Sequence, residues 1–225
     1  MNKDPQVTAD LTALAESEDI NDWIKAAKDP KCPSELLDKM ITNEDFPWGE
    51  PEADEFIIIV ARNPNTPEEH LTPLGEEDFD SEVHLSLASN PSCPTDLLKD
   101  LASRSALLKE TVLKNPSLPE DLLLVMMAEC GTIDEKLSAL SNPSCPKESL
   151  ITTSRDTDNY SSSRLRKAVA LNPNTPKEIV NKLLEDEYKW VREAAATNSS
   201  LAEAEIKTIL AKADAEFPSR HTYRI

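Results

Sequence analysis

Glycine is nearly missing from this chain. Only Gly49, Gly75 and Gly131 occur in 225 residues. Phosphate-cradling loops need several glycines at set spacing, and neither G-x-G-x-x-G nor G-x-x-x-x-G-K is present. The nucleophile pattern G-x-S-x-G is absent too. No apolar run approaches the roughly 20 residues that cross a bilayer. The opening "MNKDPQVTADLTALAESEDI" lacks a basic stretch followed by an apolar one, so it does not read as a signal peptide. The expectation is a cytoplasmic protein with reduced thiols and no membrane partner. Positive charge is also short: 24 basic residues face 42 acidic ones, a net of −18. Polyanion binding draws on clustered Lys and Arg, so no nucleic-acid partner is expected.

The negative charge is unevenly spread. Residues 1–90 hold 22 acidic and 6 basic groups, a net of −16, whereas residues 91–225 hold 20 and 18, a net of −2.

Proline is plentiful and periodic. Asp29-Pro30-Lys31-Cys32-Pro33 returns as Asn63 to Pro67, Asn90 to Pro94, Asn115 to Pro119, Asn142 to Pro146 and Asn172 to Pro176. Asn198-Ser199-Ser200-Leu201-Ala202 is a worn copy without prolines. The frame starts are 34, 27, 25, 27, 30 and 26 residues apart, the period of a solenoid.

Each frame reads as punctuation between two short helices. The residues three and two before the Asn or Asp are apolar in all seven units, from Ala26 and Ala27 to Ala195 and Ala196. Seven before it stand Phe56, Val83, Leu108, Leu165 and Val191, on the same helical face. The first proline ends that helix and the second starts the next at its first position. Two residues after the second proline comes an acid (Glu35, Glu69, Asp96, Asp121, Glu148 or Glu178), suited to a positive helix N-terminus. Thr66 with Glu69, and Thr175 with Glu178, spell a capping box. The second helix carries Leu37, Leu71, Leu98, Leu123, Leu150, Val180 and Ile206 in register, followed three on by a mostly apolar row. One unit cannot bury both faces alone, but stacked units can. The frame asparagines either bond backbone groups of the neighbouring turn or merely tolerate turn geometry.

Within residues 164–198, "LRKAVALNPNTPKEIVNKLLEDEYKWVREAAATN" resembles the variant leucine-rich repeat family, whose units read roughly V-R-x-x-V-A-x-N-P-x-T-P-x-E-L-L-x-x-L-A. The other units match around the proline frame. The resemblance implies a right-handed solenoid of α and 3₁₀ helices and implies no reaction. The longer units here point toward full helix pairs, as in HEAT-like repeats. The expected architecture is therefore all-α: a right-handed α-solenoid of about seven short helical repeats over residues 1–213, with a C-terminal tail over 214–225.

Cys32, Cys93 and Cys145 occupy the slot before the second proline, where other units have Thr or Leu. That interchange marks a small packing residue. Alternate units lie on the order of 20 Å apart, too far for shared zinc–thiolate bonds of about 2.3 Å. Some relatives of the repeat family carry an iron–sulfur cluster on a separate cysteine-rich segment, but no C-x-x-C spacing occurs here. His70, His84 and His221 form no ligand spacing. No metal, cofactor or catalytic residue is expected.

Three stretches break the repeat: "ITNEDFPWGEP" (Ile41–Pro51), "GEEDFDSE" (Gly75–Glu82) and "TTSRDTDNYSSS" (Thr152–Ser163). Insertions in repeat proteins map to loops, often on a binding face, although an acidic run also reads as a solvated loop. Trp48 suits either a cover for an open end of the core or an exposed anchor. The expectation is a non-catalytic interaction protein whose acidic N-terminal half docks a basic protein through Phe46, Trp48, Glu76, Glu77, Asp78, Asp80 and Glu82. The competing reading is a HEAT-like DNA-binding or DNA-repair enzyme, for which Arg164, Arg166, Lys167, Lys189, Trp190 and Arg192 offer a basic, aromatic surface.

Overall fold

A computed structural model describes residues 5–76, 79–157, 160–201 and 206–211. All regular structure among them is helical. The chain divides into two compact units, Met1–Ser117 and Leu118–Ile225. The first holds α1 (Pro5–Ala15), α2 (Ile20–Lys28), α3 (Ser34–Ile41), α4 (Pro51–Arg62), α5 (Glu68–Leu74), α6 (Ser81–Ser89), α7 (Thr95–Arg104) and α8 (Ala106–Leu113). The second holds α9 (Glu120–Ala128), α10 (Ile133–Ser141), α11 (Lys147–Ser154), α12 (Tyr160–Leu171), α13 (Lys177–Leu183) and α14 (Lys189–Ala196), and residues 206–211 are helical as well.

Helices pack in alternation. In the first unit α2 lies against α4, α4 against α6 and α6 against α8; in the second, α10 lies against α12 and α12 against α14. Burial follows the sequence register. Ala26, Val60, Leu87, Val112, Ala139, Val169 and Ala195 are all buried, as are Leu37, Leu71, Leu98, Leu123, Leu150 and Val180. Each leucine of the second row contributes about 1.5–3 kcal/mol by leaving water. The alanines of the first row let the stacked helices approach closely.

The proline frame is a helix stop, a turn and a helix start. Asn63, Asn90 and Asn142 leave the helix in extended backbone, and each N–H caps a carbonyl of the last turn. A backbone bond then closes each turn, Cys32 N–H to Asp29 O at 2.9 Å and Cys93 N–H to Asn90 O at 3.1 Å. The second proline is the N-cap residue, one position before the first helical residue. Its fixed φ suits that extended site as well as it suits the first turn.

The capping box is overturned. Thr66 and Thr175 precede the proline N-cap and cannot reach the next helix's free N–H groups. Their hydroxyls instead turn back and donate to Val60 O (2.7 Å) and Val169 O (2.5 Å) of the helix just ended. The acids behind the proline do sit in the first helical turn.

The asparagines form ladders. Asn63 Nδ2 donates to Ala27 O at 2.6 Å and Asp29 O at 3.2 Å. Asn90 Nδ2 donates to Ala61 O and Asn63 O, both at 2.9 Å. Asn115 reaches Ala88 O and Asn90 O in the same way, at 2.8 Å each. In the second unit Asn172 bonds Leu140 O and Asn142 O, and Asn198 bonds Ala170 O and Asn172 O. Each Oδ1 accepts the N–H two residues ahead, for example Ser92 N–H to Asn90 at 2.8 Å. Of the two sequence readings, the neighbour-bonding one holds.

Candidate partner-binding surface

The insertion between α3 and α4 carries Phe46 and Trp48, which differ in burial. Phe46 is 7% exposed and packs among the core aromatics. Its ring centroid lies 6.4 Å from Trp23 and 5.6 Å from Phe56. Trp48 is 68% exposed and leans on Phe46 at 4.5 Å. A tight turn sets it there: Trp48 N–H donates to Phe46 O at 2.8 Å. Gly49 follows at φ +89°, a region that side chains with a Cβ avoid, and the chain enters α4 at Pro51.

The acidic insertion between α5 and α6 is pinned at its base. Arg104 Nη2 donates to Gly75 O at 2.7 Å, and His84 Nε2 lies 2.9 Å from Glu76 O. Gly75 is packed so closely that an added Cβ would meet the Leu97 side chain. Beyond the loop, Asp80 is the N-cap of α6 and accepts from Glu82 N–H at 3.1 Å. That bond and one from the Ser81 hydroxyl hold its carboxyl below the usual value. Asp80 therefore serves the fold while remaining exposed, and Glu82 sits in the first turn of α6. Glu76 is exposed; Glu77 and Asp78 lie outside the described residues.

The two insertions meet. Phe46, Trp48, Phe79, Ile57 and Leu74 line one apolar cleft of about 160 Å³, with His70 in its wall. His70 is held by Asp38, Nε2 to Oδ1 at 2.8 Å. Phe79 is the residue that sequence reasoning passed over. Its only signal is being the one large apolar residue in "GEEDFDSE".

The basic side chains near the C-terminus separate into two groups. Arg166 and Arg192, expected at the surface, are 1% and 2% exposed. Arg166 grips Asp186 with Nε–Oδ2 at 2.6 Å and Nη2–Oδ1 at 3.1 Å, and donates to Asp156 O at 2.6 Å. Arg192 Nη1 donates to Asp186 O and Glu187 O. Both tie down the segment between α13 and α14. Arg164, Lys167, Tyr160 and Trp190 line a shallow groove of about 360 Å³. Arg164 pairs there with Asp134 at 3.2 Å, and Lys189 pairs with Glu193 at 3.7 Å.

Cys32, Cys93 and Cys145 are buried packing residues, and burial pushes their thiols up to about 11, 12 and 11. Thiols held in the neutral form are poor nucleophiles. Among the described residues no three His, Cys, Asp or Glu side chains converge as a metal site would require, and no helix among them is long and apolar enough to cross a membrane.

Compared with known proteins, the chain matches no family model, no curated protein and no solved structure.

Proposed function

We propose that the chain is a non-catalytic interaction solenoid whose acidic N-terminal half binds a basic protein. The carrying observation is the meeting of Trp48 and Phe79 at one cleft, on two insertions rich in carboxylates. Between Met40 and Glu82 the sequence has 13 acidic residues and one arginine, Arg62. A tryptophan 68% exposed beside an apolar cleft has the make-up of an interface centre, and charge around it has the make-up of a rim. Repetition supports the solenoid, with right-handed winding implied by the variant leucine-rich repeat resemblance. The same asparagine bond recurs at each step within both units, and one repeated local operation generates a solenoid.

The nucleic-acid reading draws less support. Two of its six residues, Arg166 and Arg192, are spent inside the fold, and two more, Arg164 and Lys189, are paired with acids. Phosphate contacts dominate nucleic-acid affinity, and the two buried arginines supply none.

Charge mainly sets association rates, whereas a buried anchor sets dissociation. Reversing Glu76, Glu77 and Asp78 to Lys is therefore expected to slow association of a partner isolated on the immobilised chain and to flatten its salt dependence. Trp48→Ala is expected to speed dissociation. Unchanged kinetics in both variants would place the binding surface elsewhere.

A further inference from the structure

The cleft between the two insertions has room for one side chain, and that limits what a partner presents. Its volume is about 160 Å³. An apolar cavity of roughly 150 Å³ takes a benzene ring. A leucine, methionine or phenylalanine side chain therefore fits, and a second does not. The walls are Ile41, Ile57, Val60, Leu74, Phe46 and Phe79, with Trp48 at the side. The one polar side chain in the wall, His70, is engaged by Asp38 at 2.8 Å. A polar or charged side chain entering the cleft would lose its water with little in return.

Outside the cleft the chemistry reverses. Glu44, Asp45 and Glu50 are exposed on the insertion that carries Trp48. Glu76 and Asp80 are exposed on the insertion that carries Phe79. Both insertions that contribute to the cleft are therefore acidic on their exposed side. A bulky apolar group with acidic neighbours meets repulsion here, one with neutral neighbours gains the cleft alone, and a purely basic segment leaves the cleft empty.

We infer that the cleft lined by Trp48, Phe46 and Phe79 is a docking site for a protein segment presenting one leucine- to phenylalanine-sized side chain flanked by lysine or arginine. This rests on the proposed acidic interaction surface and specifies what that surface selects. The apolar side chain occupies the cleft, Trp48 closes over it, and the flanking cations lie against the carboxylates of the two insertions. The anchor gives selectivity among basic segments, since every basic segment is attracted but only one type fills the cavity.

The test uses the full chain and synthetic decapeptides with one central residue between lysines, titrated by calorimetry at low and moderate salt. Tryptophan emission follows burial in a Trp190→Phe background, where Trp48 is exposed and the remaining Trp23 is already buried. The leucine and phenylalanine peptides are expected to bind and to shift the emission of Trp48 to shorter wavelength. The alanine peptide is expected to bind about 10–50-fold more weakly, from the lost apolar burial. A leucine peptide flanked by glutamates is expected not to bind. Leu74→Phe, which narrows the cleft from a half-buried edge, is expected to abolish the preference for leucine over alanine while preserving the fold, as helical circular dichroism reports. If lysine peptides bind equally with leucine or alanine at the centre, the cleft is not the selecting element, and only the acidic surface stands. If no lysine peptide binds at low salt, the acidic-surface reading fails as well. If the glutamate-flanked leucine peptide binds as tightly as the lysine one, the charge component of the inference is overturned.

Discussion

Asn90 is wholly buried, and three backbone groups depend on its amide. Its NH₂ satisfies carbonyls of two successive turns, and its oxygen accepts the Ser92 N–H. Only an amide supplies donors and an acceptor on one short side chain. Asn90→Asp keeps the shape and sets a carboxylate against Ala61 O and Asn63 O in a buried site. A loss of at least about 3 kcal/mol is expected, since unsatisfied buried polar groups cost about 1–3 kcal/mol each and charged ones more. Position 29 differs. Asp29 is half-buried at the first frame, and its carboxylate simply accepts Lys31 N–H at 2.8 Å. Asp29→Asn should change stability by no more than about 0.5 kcal/mol. Urea unfolding of both variants decides the matter; equal effects would mean that the asparagine ladder is not what holds the turns together.

Helices here are short, seven to twelve residues among those with defined ends, too short to persist alone in water. They depend on their ends and on their neighbours. Asp80, Ser105 and Thr132 cap α6, α8 and α10 through side-chain oxygens, while helices that follow the proline frame, such as α7, start after a proline N-cap with no side-chain cap. The start of α14 uses a different device. Asp186 accepts Tyr188 N–H at 2.9 Å and also holds Arg166 in a buried two-point grip. Asp186→Ala removes both and leaves a guanidinium 1% exposed with its charge unpaired. Breaking one side of such a pair costs about 3–5 kcal/mol. The expected result is a lowered unfolding midpoint for Asp186→Ala, partly restored when Arg166 is replaced by Met in the same chain. A double variant no better than the single one would show that the grip is incidental.

At the scale of the whole molecule, charge and repetition set the expectations. Within each unit the repeat makes stability a sum over neighbouring helices, so losing one step weakens the steps on either side of it. The acidic half also repels itself, and its carboxylates stand mostly in solvent, where a pair such as Lys28–Glu55 adds little stability. That excess of charge is better placed for steering a partner than for holding the fold.

Much of this was legible in one dimension because a repeat writes its rules many times. The apolar register, the all-helical class and the packing role of Cys32, Cys93 and Cys145 follow from spacing and interchange alone, since a position that accepts Cys, Thr or Leu is a buried slot whatever the details. Directions of individual side chains do not follow from spacing. Thr66 and Thr175 carry the letters of a capping box, yet the proline takes the cap and their hydroxyls turn to the preceding helix. Arg166 and Arg192 look like surface cations by composition, and only packing around Asp186 draws them inside. Phe46 and Trp48 are two residues apart and equally apolar on paper; the tertiary structure buries one against Trp23 and Phe56 and leaves the other out. Phe79 joins them across about 30 residues of chain, a juxtaposition decided by which helix faces pack together. Local pattern determined the elements and the core of this protein. The cleft was decided by the meeting of two insertions, and no local pattern encodes that distance.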